Sequence, residues 1–228
     1  MRVIIFGATG MVGQGVLREC LLDRDVQDVL SIGRTATDYR NQKLRELVHN
    51  DLLDFTSIQS ELSGFDACFF CLGVSSAGIT EASYARVTYD ITLGAAETLV
   101  KLNPEMTFIY VSGAGTDSSE RGRTMWARVK GRTENALLRL PFKAAYMLRP
   151  GVIQPLHDIK SKTKLYRTFY AMTGPILPIL RAVLPGYVTT TEQVGCAMIE
   201  LARHGGPKPV LESRDINAVR CSRSTLAV

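Results

Sequence analysis

Residues 4–16 read IIFGATGMVGQGV. A run of β-branched and aromatic side chains stops at Gly7, and glycines recur at Gly10 and Gly13 before a helix-patterned stretch begins. A strand that ends in such a turn and opens a helix is the setting in which a glycine pattern has physical meaning. Gly7 permits the tight turn, Gly10 lets the backbone approach a pyrophosphate, and Gly13 lets the helix pack closely on the strand. The helix start then offers free N–H groups and a partial positive charge to phosphate oxygens. The run Gly7, Ala8, Thr9, Gly10, Met11, Val12 and Gly13 is therefore read as a dinucleotide-binding turn.

Outward from this turn, short apolar runs alternate with longer helical patterns. Strands are expected at 2–7, 28–33, 46–51, 66–73, 107–113, 144–151 and 209–213, and helices near 12–23, 56–62, 80–102, 124–140, 160–183 and 191–203. Strands that are apolar on both faces, each followed by a helix, imply a parallel sheet covered on both sides. The expectation is an α/β, Rossmann-type doubly wound parallel sheet of about seven strands, in a single domain spanning 1–228. Residues 152–190 are too long for a plain crossover and carry Pro155, Pro175, Pro178 and Pro185. They are read as a small cap over the carboxyl edge of the sheet, where open α/β folds bind ligands. The cap begins with the basic HDIKSKTKLYR (157–167), either a solvated helix face or a contact for an anionic substrate or membrane surface. His157 in that stretch, beside Asp158, is a candidate for substrate contact.

The composition is that of an ordinary globule, with 46% hydrophobic and 21% charged residues in a chain of 228. A net charge of +5 favours anionic partners such as nucleotide phosphates, but no block of like charge suggests nucleic-acid binding. Five cysteines, an odd count with no secretory leader, point to a reducing, cytoplasmic compartment. Cys68 and Cys71 form a C-x-x-C within an apolar strand, where residues three apart face opposite ways. They are read as buried strand residues, and no metal site is expected. The longest apolar run, Gly174 to Gly186, is broken by prolines and an arginine and is too short to span a bilayer.

The glycine spacing G-x-x-G-x-x-G, with GATGMVG, CLG, VKG and RPG following in order, resembles the atypical NAD(P)-binding branch of the short-chain dehydrogenase/reductase superfamily. It is similar to the Tat-interacting-protein and NmrA-like groups and to epimerase-like relatives; the resemblance covers residues 1–151 and thins beyond. The second strand ends in Arg34 with no acidic residue at its tip. An acid there would accept from a ribose 2′-hydroxyl, whereas a guanidinium suits a 2′-phosphate, so NADP is favoured over NAD. The resemblance further implies that Asp51 and Leu52 border the adenine. It puts Leu72, Gly73 and Val74 on the adenine-ribose side, and Pro150, Gly151 and Val152 beside the nicotinamide carboxamide.

Carbonyl-reducing members use Tyr-x-x-x-Lys on the helix after strand five, with a serine at that strand's end. Here Lys130 and Ser112 hold the lysine and serine positions, which the resemblance puts on the cofactor ribose and the substrate oxygen, and Trp126 stands where the tyrosine belongs. An indole N–H donates a hydrogen bond but does not titrate usefully. Trp126 either lies against the nicotinamide or a flat substrate, or packs the wall of an unused pocket. Tyr84, Tyr89, Ser112, Arg128 or a water are open as alternative proton donors; a second Tyr-x-x-x-Lys, Tyr39 to Lys43, lies on the adenine side and is read as chance. Three functions follow: an NADPH-dependent oxidoreductase or epimerase-like enzyme on a small substrate, a catalytically silent cofactor-binding regulator or scaffold, and a peripheral membrane protein. The chain is expected to be a monomer or homodimer.

Overall fold

The computed structural model describes residues 1–157, 159 and 186–221. Its centre is β1 (Arg2–Phe6), whose β-branched and aromatic residues alternate between two cores. Val3 and Ile5 face one core; Ile4 and Phe6 face the other. A strand buried on both faces has to lie inside a sheet with helices above and below it. β2 (Asp28–Gly33) and β4 (Ala67–Phe70) flank it in parallel, with Phe6 opposite Ile32 on one side and Phe70 on the other. β3 (Leu44–Val48) forms one edge, while β5 (Thr107–Val111), β6 (Ala144–Arg149) and β9 (Val210–Glu212) extend the other. The order is β3-β2-β1-β4-β5-β6-β9, with every pairing parallel.

Helix α1 (Met11–Leu22) packs against α5 (Thr191–His204) over the Val3/Ile5 face. The opposite face is covered by a 3-10 segment (Thr56–Leu62), α3 (Ile91–Leu102) and α4 (Met125–Leu138). The chain reverses its direction of travel across the sheet between β3 and β4, which opens a crevice at the carboxyl ends of β1 and β4. Ligands of doubly wound sheets sit at such reversals.

All seven expected strands are present in that sheet. The third begins two residues earlier than read and ends at Val48, and residues 56–62 wind as a 3-10 rather than an α-helix. The helical pattern at 80–102 divides into α2 (Glu81–Ala85), a π-helical stretch (Arg86–Asp90) and α3. A two-stranded parallel sheet of β7 (Val152–Gln154) and β8 (Val188–Thr190), and the short α6 (Ser213–Ala218), were not foreseen. Cys68 and Cys71 do face opposite cores. The reading of the cysteines as a uniformly reduced set is corrected at one pair, because Cys196 on α5 is bonded to Cys221. Of the expected cap, Asp158 and residues 160–185, with most of the basic stretch, lie outside the described residues.

Candidate functional site

The glycine turn is built as its spacing requires. Gly7 adopts φ +78°, and a β-carbon there would lie 2.7 Å from the Leu72 nitrogen. One at Gly13 would lie 2.1 Å from the Gly7 carbonyl oxygen, so α1 can approach β1 only because this position is bare. Gly10 differs: it caps α1, its N–H donates to the Gly7 carbonyl at 2.9 Å, and a β-carbon there would meet only that oxygen, at 3.3 Å. No side chain caps the helix and no acid occupies its first turn. The helix start thus keeps its donors and its positive end for an anion.

Leu72, whose backbone closes against Gly7, also lines a cavity of about 330 Å³ beside the turn. Arg34, Asp51, Leu52, Gly73 and Val74 line the same cavity, so six residues from three sequence motifs converge. Asn50 and Leu53 complete that loop's side, and the opposite wall comes from a segment that sequence reasoning missed: Arg86, Val87 and Ile91, where the π stretch runs into α3. Arg34 and Arg86 are both exposed. Asp51 accepts the Leu53 N–H at 3.0 Å, which fixes the loop below the cavity. His49 bonds the Asp54 carbonyl, also within that loop. The second Tyr-x-x-x-Lys has a structural role: Lys43 donates to the carbonyls of Leu21 and Asp23 at the end of α1, and Tyr39 packs on the adjacent core.

At the other end of the crevice, β5 and β6 bring Ser112 and Pro150 side by side. The Ser112 N–H donates to Leu148, and the Ala114 N–H donates to Pro150. Gly151 accommodates the Tyr187 carbonyl, 2.6 Å from where a β-carbon would lie, and Val152 bonds the same carbonyl in β7. Thr116 Oγ1 donates to the Gly113 carbonyl at 2.7 Å and lies 3.0 Å from Ser112 Oγ. With the threonine proton committed to Gly113, Ser112 is the donor of that pair.

The Lys130 amine is 3.4 Å from the Tyr110 phenol oxygen and 3.5 Å from the Val111 carbonyl. Burial lowers its pKa to about 8 against the opposing pull of Glu134. Tyr110 is buried on the core side, and its phenol is pushed well above the ordinary range by burial and then by Tyr84. Both phenols are buried, so neither Tyr84 nor Tyr110 is placed as a proton donor to the crevice. Arg132 lies over the Tyr89 ring at 4.0 Å, and Arg128 is held by Glu81 and the Gly122 carbonyl. Ser118 bonds Arg149, Ser119 bonds Asp117, and His157 bonds Glu192 at 2.7 Å. Trp126 is half-buried, with its ring edge 3.5 Å from where a Gly115 β-carbon would lie. Ser112 and Trp126 are what remain at the carboxyl end of β5. Among the described residues no group of His, Cys, Asp and Glu could hold a metal, and no helix is long and apolar enough to cross a membrane.

Comparison with known proteins agrees with this construction. The family model described as NAD dependent epimerase/dehydratase family matches residues 3–122. Protein HTATIP2 of Rattus norvegicus is 29% identical over 200 residues, covering 82% of this chain and 81% of that protein. Protein FMP52-2, mitochondrial, of Scheffersomyces stipitis is 27% identical over 152 residues; the match covers 65% of each chain, just under two thirds of the fungal protein's length. Among solved structures, the Bordetella bronchiseptica enzyme WbmF in complex with NAD+ superposes with a TM-score of 0.65 at 15% identity, covering 95% of this chain and 76% of that one. That likeness is one of fold.

Proposed function

The chain belongs to the NAD-dependent epimerase/dehydratase family, and from that membership we propose that it binds a nicotinamide dinucleotide, NADP(H) by preference, and acts as an oxidoreductase or epimerase-like enzyme on a small substrate. One observation carries the reading: the glycine turn and the cavity holding Arg34, Asp51, Leu52, Leu72, Gly73 and Val74 are joined through the contact of Gly7 with Leu72. The residues present fit the group. The amides at the start of α1 take the pyrophosphate, and the cavity, at about 330 Å³, has room for the adenosine half. Arg34 at the tip of β2 meets a 2′-phosphate. Ser112, Pro150, Gly151 and Val152 border the nicotinamide half.

When bound, the nicotinamide supplies a hydride acceptor or donor. Ser112, its hydroxyl turned from Thr116, holds the substrate oxygen, Lys130 keeps the end of β5 positively charged near neutral pH, and Trp126 keeps water from the pocket. The family description, which names NAD, and the NAD+ bound by WbmF support the cofactor class.

Trp126 favours a second reading, a cofactor-binding protein without turnover that serves as a regulator or scaffold. Calorimetry with NADPH and NADH tests the cofactor claim. NADPH binds more tightly, and Arg34→Ala lowers its affinity at least about tenfold while leaving NADH unchanged. Absence of binding by either nucleotide removes the proposal. Turnover on a carbonyl panel, lost in Ser112→Ala, separates the enzyme from the scaffold.

A further inference from the structure

The adenine-side cavity holds a second cation that no glycine motif announces. Arg34 reaches it from the end of β2, on one side of β1. Arg86 reaches it from the segment following β4, on the other side. Among the described residues neither guanidinium makes a hydrogen bond or an ion pair, so both are free to meet an anion in the cavity they line. Asp51 is the only carboxylate among the cavity's lining residues, and it is already an acceptor for the Leu53 N–H.

The backbone has been altered to place Arg86 there. In an α-helix, residues five apart point about 140° away from each other. In the π stretch, the Ile91 N–H donates to the Arg86 carbonyl, an i→i+5 bond that stacks the two residues on one face. Arg86, Val87 and Ile91 consequently share the cavity wall. Within the turn the Thr92 hydroxyl donates to the Thr88 carbonyl at 2.7 Å. Single π turns of this kind recur at binding sites.

We propose that Arg34 and Arg86 form a two-guanidinium clamp for the 2′-phosphate of an adenosine 2′-phosphomonoester, with Arg86 a specificity-determining residue alongside Arg34. The inference rests on the dinucleotide-binding reading above and names the group recognised at that site. Two guanidiniums facing one small cavity repel each other, and a dianionic phosphomonoester relieves that repulsion as a 2′-hydroxyl does not. The diphosphate does not need them, because the amides at the start of α1 serve it. Beyond the diphosphate, the adenosine half of a nicotinamide dinucleotide carries no other anionic group than the 2′-phosphate.

The test is calorimetric titration of the full chain with adenosine 2′,5′-bisphosphate and with 5′-AMP, in wild type, Arg86→Ala and Arg86→Lys. Arg86→Ala weakens the bisphosphate at least about tenfold and 5′-AMP less than about twofold, and Arg86→Lys recovers part of the loss. Arg86 is exposed, so circular dichroism and the thermal midpoint of Arg86→Ala match wild type. An equal loss for both ligands overturns the clamp by assigning Arg86 to the adenine or to the fold. No loss for either, with Arg34→Ala still weakening the bisphosphate, overturns the clamp alone. Failure of wild type to bind either ligand or NADPH overturns the parent reading as well.

Discussion

The ammonium of Lys130 lies 3.4 Å from the phenol oxygen of Tyr110 and 5.1 Å from the centre of its ring. Lys130 therefore has a phenol as neighbour that comes from the strand and not from its own helix. That phenol sits on the preceding strand, β5, and faces the core, where burial raises its pKa well above the ordinary range and keeps it from a substrate. It steadies the amine and does not replace the missing acid.

The same geometry makes Lys130 a measurable load on the fold. Its folded pKa of about 8 lies below the ordinary 10.5, so the unfolded chain binds more protons between those values. The penalty is fully present below pH 8 and fades as pH rises towards 10.5. Lys130→Met keeps the stem packed on Tyr110 and removes the charge. Its thermal midpoint should exceed that of wild type at pH 7, with the gain shrinking steadily from pH 8 to 10. A gain independent of pH would show that the amine is not desolvated in solution.

Two glycines of the turn should separate folding from binding. A methyl at Gly13 meets the Gly7 carbonyl at 2.1 Å, so Gly13→Ala must push α1 off the sheet at a cost of about 3 kcal/mol or more. Gly10 has an ordinary φ of −79° and meets that oxygen only at 3.3 Å. Gly10→Ala should cost about 1 kcal/mol or less in urea unfolding while abolishing NADPH binding, because its methyl occupies the approach to the helix amides. Equal destabilisation of the two variants would contradict the packing described.

What could be read in advance follows from burial. The central strands are apolar on both faces and stand out as continuous runs, and the glycine turn carries its own geometry. β3 is an edge strand with Arg45, Glu46 and Val48 exposed, so its ends were misplaced by two or three residues. β7 and β8, at three residues each, are too short to leave a pattern. Arg86 was overlooked because helical periodicity assigns it a different face from Ile91, and only the π turn reunites them. The approach of Lys130 to Tyr110 joins two elements 20 residues apart and depends on how α4 lies on the sheet.

The bond between Cys196 and Cys221 closes a 25-residue separation and ties the chain beyond α6 to α5. Crosslinking a loop of that size contributes about 3 kcal/mol by restricting the unfolded chain. Thiol labelling of the denatured, unreduced protein should therefore count three free cysteines. Reductant should lower the urea midpoint of wild type and leave Cys221→Ser unaffected. Five labelled thiols in protein purified without reductant would remove the crosslink.

Trp126 lies four residues before Lys130 on one face of α4, the spacing at which side chains of a helix meet. Its indole rests near Gly115, and it supplies bulk at the carboxyl end of β5 without a titratable proton. Trp126→Tyr returns a phenol to a site where an amine of pKa about 8 stands one turn away and Ser112 borders the same crevice. An acid placed within reach of a reacting oxygen contributes about a hundredfold or more. NADPH-dependent reduction across a carbonyl panel should rise by roughly that factor in Trp126→Tyr and not at all in Trp126→Phe, which removes the same bulk but adds no proton. If the two variants gain equally, the indole was blocking access and the proton comes from elsewhere in the pocket. If neither gains while both still bind NADPH, the site lacks more than its acid, and the regulator reading prevails over the enzyme.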